Sequence, residues 1–152
     1  MKNKGFTLIE LLAVIVILAI IALIATPTIL NVVETARKGA AEASVLGYVD
    51  AVEKQVMINA MDETKTQITG TMTLTQLANA DVSVKGQAPT AAYTYDSTNE
   101  CYTEGVTISG GEVQNTVFVT GTNKYKVTYT KSTGKAAARD YAALTECQSS
   151  GD

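Results

Sequence analysis

The side chains that most often carry catalysis are sparse in this 152-residue chain. Histidine is absent, which removes both the commonest general base and the commonest metal ligand. A serine or cysteine nucleophile would then need Lys, Asp or Glu as its activator, and none stands in a recognisable elbow or dyad. The sequence therefore predicts no enzyme, no bound cofactor and no catalytic site.

Two short motifs invite a ligand-binding interpretation. Residues 132–135 read STGK, but a phosphate-binding loop requires glycine five positions before Gly134 and Ser or Thr after Lys135, where Tyr129 and Ala136 stand. Asp96, Asn99 and Glu100 offer oxygen ligands of the kind that calcium takes. Their spacing is loose and these residue types are common in turns, so a solvated loop is the favoured interpretation and no metal site is predicted.

One carboxylate stands in an unusual place, because Glu10 lies inside an apolar block. Residues 11–25 contain no charged or strongly polar side chain, and the apolar segment continues to Leu30. This is long enough for a membrane-spanning helix, which needs about 20 apolar residues. A carboxylate in hydrocarbon is costly without a partner, and no Lys or Arg lies between Lys4 and Arg37.

Two ordinary interpretations of this block fit less well. A secretory signal peptide has an apolar region of about 7 to 15 residues followed by a small-residue cleavage site, whereas this block is longer and has no convincing site near Ala25. A plain membrane anchor fits the length and the preceding Lys2 and Lys4. It leaves Glu10 unexplained.

The contiguous residues Lys-Gly-Phe-Thr-Leu-Ile-Glu at positions 4–10, followed by the apolar run and Pro27, resemble the class III leader and N-terminal helix of type IV pilins and pseudopilins. The resemblance covers about the first fifth of the chain. It implies that a membrane peptidase cuts between Gly5 and Phe6 and that the new amino terminus of Phe6 is methylated. It also implies that Glu10 meets the Phe6 amine of a neighbouring subunit during assembly.

Composition constrains the rest of the chain to one modest domain. The formal net charge is −3, and removal of Lys2 and Lys4 leaves 10 basic against 15 acidic side chains, a net charge near −5. This balance argues against general nucleic-acid binding. Because the bulk of the chain is expected to be exported, Cys101 and Cys147 are predicted to form a structural disulfide, with two free thiols as the alternative.

The helical pattern continues beyond the apolar block. Val45, Val49, Val52 and Val56 recur at helical spacing, and Val32, Val33, Ala36, Ala40 and Ala43 extend the stripe upstream. The helix is predicted to run from Phe6 to about Met61. Pro27 removes a backbone donor and predicts a bend or melted turn, while Gly39 and Gly47 loosen the helix further.

Downstream, the pattern changes to turns and strands. Residues 73–80 suggest a short helix capped by Thr73 or Thr75, with an irregular loop as the alternative, and residues 62–70 and 81–90 are interpreted as connections. Strands are predicted near residues 102–108, 113–120 and 124–130, joined by turns at 109–111 and 121–123 into a three-stranded antiparallel meander. Residues 136–144 are ambiguous between strand and helix.

The predicted fold is α+β, with a long N-terminal helix packed on a small antiparallel sheet. It divides into a leader (1–5), a transmembrane and assembly helix (6–30), an amphipathic helix (31–61) and a globular head (62–152). The resemblance implies a filament subunit that waits in the cytoplasmic membrane and then joins an extracellular pilus, with itself, the peptidase and the assembly machinery as partners. The alternatives are a secretion or competence pseudopilin and a membrane-tethered binding domain that never polymerises.

Charge is unevenly distributed along the head. Acidic residues precede basic ones, which suggests two oppositely charged sides: Asp96, Glu100, Glu104 and Glu112 against Lys124, Lys126, Lys131, Lys135 and Arg139. Solvated strand faces explain this most simply. Contacts between filament neighbours, and contact of the basic side with DNA, are the functional alternatives.

Overall fold

The computed structural model describes residues 5–84, 86–121 and 124–147. One long helix, α1, spans Leu8–Met61, and a short helix, α2, spans Leu74–Asn79. The described residues form eight strands, which are β1 (Gly70–Met72), β2 (Ala91–Asp96), β3 (Cys101–Glu104), β4 (Val106–Ser109), β5 (Glu112–Val113), β6 (Thr116–Thr120), β7 (Tyr125–Thr130) and β8 (Lys135–Asp140). The chain divides into two compact units, Met1–Arg37 and Lys38–Asp152.

The strands of the second unit form two antiparallel sheets. The larger has the order β3-β2-β6-β7-β8 and the smaller has the order β1-β4-β5. The distal half of α1 packs on them, and the T-shaped contact of Tyr48 with Phe118, at 5.8 Å between ring centroids, lies at the centre of this core. The predicted α+β class, with a long N-terminal helix on a small antiparallel sheet, is confirmed.

The buried stripe of α1 follows a helical period from Ala41 through Val45, Tyr48, Val49 and Val52 to Asn59. Burial of Val45, Val49 and Val52 agrees with the predicted stripe. Ala40 and Ala43 are exposed, because they fall out of phase with Val45 while Ala41 and Tyr48 fall in phase. The predicted stripe was therefore correct in its second half and wrong upstream, where Val32, Val33 and Ala36 are exposed as well.

Two carboxylates of α1 bond directly to strand backbones. The Ala138 N–H donates to Glu42 Oε1 at 2.8 Å, and the Val113 N–H donates to Glu53 Oε1 at 3.0 Å. Ala138 belongs to β8 and Val113 to β5, which are edge strands of the larger and the smaller sheet. Each carboxylate thus satisfies an edge amide that would otherwise be open to pairing with another chain.

The predicted three-stranded meander is wrong, because two of its strands are each split between the sheets. Gly105 separates β3 from β4 with φ of +126°, and a Cβ there would lie 2.9 Å from Thr71 Cγ2 and 3.0 Å from the Met72 carbonyl oxygen. Glycine alone permits this conformation and this approach. The chain consequently leaves the larger sheet after Glu104 and enters the smaller one at Val106.

The β4–β5 hairpin and the short helix agree with the sequence. The turn predicted at 109–111 is a two-residue turn of Gly110 and Gly111, with φ of +63° and +86°, and Ser109 pairs with Glu112 across it. Thr73 caps α2 in a capping box with Gln76, and Leu77 is fully buried. Of the segment left ambiguous at 136–144, residues 136–140 form most of β8 and residues 141–144 are neither strand nor helix. Thr122 and Asn123 of another predicted turn lie outside the described residues.

Candidate assembly site and head surface

The start of α1 is organised by Thr7. Its carbonyl oxygen accepts from the Glu10 and Leu11 amides, each at 3.2 Å, and its Oγ1 accepts from the Glu10 amide at 3.3 Å. Thr7 and Glu10 have the spacing of a capping box, in which a threonine caps the helix and a glutamate follows three positions later. This signal was available in the sequence and was missed. It places Glu10 in the first helical turn, where the dipole favours a carboxylate.

The proposed cleavage point lies immediately before this cap. Gly5 and Phe6 precede α1, and the Phe6 side chain is 84% exposed. A Cβ added to Gly5 would meet nothing within 4 Å. The chain itself therefore sets no packing demand for glycine here, and a requirement for a small residue would have to come from an enzyme that reads this site. The other predicted leader residues, 1–4, lie outside the described part of the chain.

The apolar segment makes no core of its own. Within the described residues, α1 is the one helix long and apolar enough to cross a membrane by length and composition. Its large apolar side chains from Leu8 to Leu30 are exposed. One polar side chain inside it is satisfied locally, since Thr26 Oγ1 donates to the Ala22 carbonyl at 2.7 Å. Such internal pairing is what a hydrocarbon environment requires.

The helix does not break at Pro27. α1 is continuous through this residue, so the predicted melted turn is absent. Proline removes one backbone donor, but the amides that follow it continue the helical pattern. Gly39 and Gly47 also lie within the unbroken helix, and a Cβ at either would meet nothing within 4 Å.

Cys101 and Cys147 form a disulfide with a Cα–Cα distance of 5.0 Å, in agreement with the predicted pairing. It fastens the segment after β8 to the opposite edge of the larger sheet. The Tyr141 N–H donates to the Lys124 carbonyl beside β7, whereas the Tyr102 N–H of β3 donates to the Thr145 carbonyl at 2.8 Å. The Cys147 N–H donates back to Tyr102. We call residues 141–147 the C-terminal strap.

A tyrosine links the strap to the sheet. Tyr93 of β2 interacts electrostatically with Glu146 and Tyr141 of the strap. Burial raises the pKa of the Tyr93 hydroxyl, and the Glu146 carboxylate, as neighbouring charge and hydrogen-bond acceptor, raises that pKa further. Sequence reasoning did not identify Tyr93 or Glu146, because their proximity depends on the path of the strap.

The three residues considered for calcium form a hydrogen-bonded turn. Asp96 accepts from the Thr98 amide at 2.8 Å and from Asn99 Nδ2 at 2.6 Å. These bonds, the Asn99 side chain first, hold the pKa of Asp96 below its usual value. The Asn99 nitrogen, not its oxygen, points at Asp96, and Glu100 takes a left-handed φ of +50°. No group of metal-binding side chains occurs among residues 5–84, 86–121 and 124–147.

The predicted charge asymmetry holds only in part. Glu112 belongs to the acidic set by sequence, yet Lys131 Nζ lies 2.8 Å from its carboxylate. The remaining acidic residues lie on or between β2 and β3, at one edge of the larger sheet, while Lys126 and Arg139 lie on β7 and β8 at the other. The charge separation is thus between the two edges of a single sheet.

Comparison with known proteins identifies one region. The family described as the prokaryotic N-terminal methylation motif matches residues 1–26. No match was found among curated proteins or among solved structures. The match includes Gly5, Phe6 and Glu10 and ends just before Pro27. Residues 1–26 are therefore similar to the class III prepilin-like leader and first helical residues of type IV pilins and pseudopilins, and the long helix with its antiparallel sheets forms a pilin-like α+β fold.

Proposed function

We propose that this protein is a structural subunit of a type IV pilus-like filament, cut after Gly5 and polymerised through its N-terminal helix. The observation that carries the proposal is the methylation motif at the start of an apolar helical segment whose large side chains, from Leu8 to Leu30, are all exposed within the subunit. A membrane accommodates this surface in the precursor. In the filament, helices of neighbouring subunits replace lipid by close packing.

Glu10 gives the assembly step its register. Cleavage before Phe6 creates an amine four residues from Glu10, about one helical turn away. Among the described residues Glu10 forms no ion pair within the subunit. A carboxylate in an apolar setting is tolerated when it meets a cation, and the Phe6 amine of the next subunit supplies one.

Replacement of Gly5 tests the processing step. Gly5→Leu should leave a full-length, membrane-retained precursor, because the peptidase of such systems accepts only a very small residue before the cut. Intact-mass spectrometry distinguishes the two forms, and Gly39→Leu, at another glycine with open space around it, is the matched control. Recovery of chains starting at Phe6 from Gly5→Leu, or of assembled wild type still starting at Met1, would contradict the proposal.

Replacement of Glu10 tests the assembly step separately. Glu10→Ala should be cut normally but assemble at least about tenfold less, since the neighbouring amine is left unpaired in an apolar setting. Glu63→Ala, which removes an exposed carboxylate after α1, is the control. Electron microscopy of cells provides the readout. Normal fibre yield from Glu10→Ala would contradict the assembly role of Glu10. Wild-type fibres that are short and confined within the cell envelope would instead indicate a pseudopilin.

A further inference from the structure

One face of the larger sheet carries charged groups at both edges. We call the face turned away from α1 the outer face. Strand register places Tyr93, Val117 and Thr128 in one row across β2, β6 and β7. Residues two positions along a strand share a face, so Tyr95 and Lys126 lie on the outer face as well. Val117 and Val119, between the edges, are buried.

The first edge combines tyrosine rings with carboxylates. Glu104 lies opposite Tyr93, and Tyr102 lies opposite Tyr95 with their rings 5.1 Å apart. Glu146 of the strap pairs with Tyr102 in a parallel bridge and interacts with the Tyr93 hydroxyl. Both carboxylates are exposed, and Tyr95 is 49% exposed. We call these five residues the tyrosine–glutamate patch.

The second edge presents two cations side by side. Lys126 of β7 and Arg139 of β8 are register partners, and we call them the basic pair. Like charges directly opposite each other on a sheet are destabilising. Neither forms an ion pair with any residue of the described chain, and the adjacent Asp140 is taken by Lys38 at 3.2 Å. Two like charges therefore lie opposite each other on the sheet, and neither forms an ion pair with an anion of the described chain.

We propose that the basic pair of one subunit docks on the tyrosine–glutamate patch of a second copy of this chain. The partner is indicated by charge complementarity: two cations meet two carboxylates, and a guanidinium stacks on tyrosine faces while it donates to carboxylate oxygens. The inference rests on the proposed filament function. It adds the head surface through which neighbours recognise each other.

The positions of the two surfaces explain why such a contact propagates. They lie at opposite edges of one sheet, so a single subunit uses both at once, each toward a different neighbour. A head-to-tail contact of this kind extends into an open helix when its rotation does not close. Strand pairing between copies is hindered, because Glu42 occupies the Ala138 amide on β8 and the strap occupies Tyr102 on β3. Side chains therefore carry the contact.

Charge exchange between the two surfaces tests the docking. Glu104→Lys and Arg139→Glu should each lower the assembled fraction of the full-length protein by about tenfold, as close interfacial charge pairs do. The chain that carries both substitutions should recover to within about threefold of wild type, because the exchanged charges again attract. Residual assembly of each single variant should rise with salt, which screens the new repulsion.

The matched controls are Glu63→Lys and Lys54→Glu, which make the same charge changes at exposed positions away from both surfaces. Single variants that assemble like these controls would overturn the docking. A double variant no better than the worse single variant would do the same. If Arg139→Glu assembles normally but loses binding to duplex DNA, the basic pair faces nucleic acid and the proposal is also overturned.

Cross-linking separates failure of the docking from failure of the filament function. In whole cells, the chain with both Glu104→Cys and Arg139→Cys should yield a ladder of covalent multimers under mild oxidation, while either substitution alone should yield dimers at most. If the wild type forms no fibres while the double-cysteine variant gives this ladder, the filament function is overturned and the contact is retained. If the wild type forms fibres but the double-cysteine variant gives no ladder, the filament function is retained and the proposed contact is overturned.

Discussion

Val32 and Val52 belong to the same helix, yet Val32 is 63% exposed and Val52 is fully buried. This difference in exposure distinguishes the two units of the chain. The second unit buries a core of apolar residues against its own sheets around Phe118, whereas every large apolar side chain described in the first unit is exposed. A helix that is apolar all round has to be covered by lipid or by other protein. The first unit therefore depends on partners for its environment, and the second supplies its own.

The largest expected effect comes from loss of the disulfide, which lies entirely within the second unit. Cys147→Ser should lower the free energy of unfolding of the head by about 4 kcal/mol, because the bond closes a 46-residue separation in the denatured chain. It should also expose the C-terminal strap to protease while cleavage after Gly5 proceeds normally. Urea unfolding of the full chain in detergent micelles, monitored by tyrosine circular dichroism, measures the loss.

The double substitution Cys101→Ser, Cys147→Ser is the control, since it removes the unpaired thiol that the single variant leaves behind. Both variants should lose the same stability. If the double variant unfolds at the wild-type urea concentration, the disulfide does not hold the head together and the strap is anchored by its hydrogen bonds alone.

A matched pair of valines sharpens the comparison directly. Val52→Ala should destabilise the head by about 2 kcal/mol, through lost burial and the cavity left in the core. Val32→Ala should leave head stability unchanged, because nothing in the described chain buries that side chain. Urea midpoints of the two variants, measured side by side, provide the test. Equal urea midpoints for the two variants would mean that Val52 stabilises the head no more than the exposed Val32 does.

The smallest effect concerns alkaline pH. Burial raises the pKa of Tyr48 to about 12 in the folded head, from 10.0 for an exposed tyrosine. The unfolded chain therefore loses this proton first, so the stabilisation is complete below pH 10 and declines as the pH rises toward 12. By pH 11 the loss should be about 1.4 kcal/mol.

Tyr48→Phe removes the group that titrates and should flatten this part of the stability profile between pH 9 and pH 11. Tyr95→Phe, which removes a hydroxyl from an exposed ring on the outer face, is the control for the substitution itself. Identical slopes for wild type and Tyr48→Phe would show that Tyr48 does not stay protonated in the folded head.

The sequence identified the parts of the fold that depend on neighbouring residues. The apolar run, the stripe of Val45, Val49 and Val52, and the Gly110–Gly111 turn are local patterns, and each was placed correctly. Thr7 was also within reach, since its capping-box spacing with Glu10 is visible in the residues. At Pro27 the melted turn is absent, because one lost backbone donor does not outweigh the continuation of the helix on both sides, while the bend stays a prediction.

Only the tertiary structure determined which residues that are distant in sequence come into contact. Gly105 looked like an ordinary glycine within one strand, and its role in sending the chain from the larger sheet to the smaller depends on the approach of Thr71 and Met72. Glu112 belongs to an acidic side by sequence, but the fold brings Lys131 beside it. Tyr93 and Glu146, and the opposition of Lys126 and Arg139, likewise depend on strand order, strand register and the path of the strap. The leader motif and the helical pattern depend on residues that are close together along the chain, so the sequence alone determines them. A surface on a sheet is assembled from strands that are remote in sequence, and only folding brings its members together.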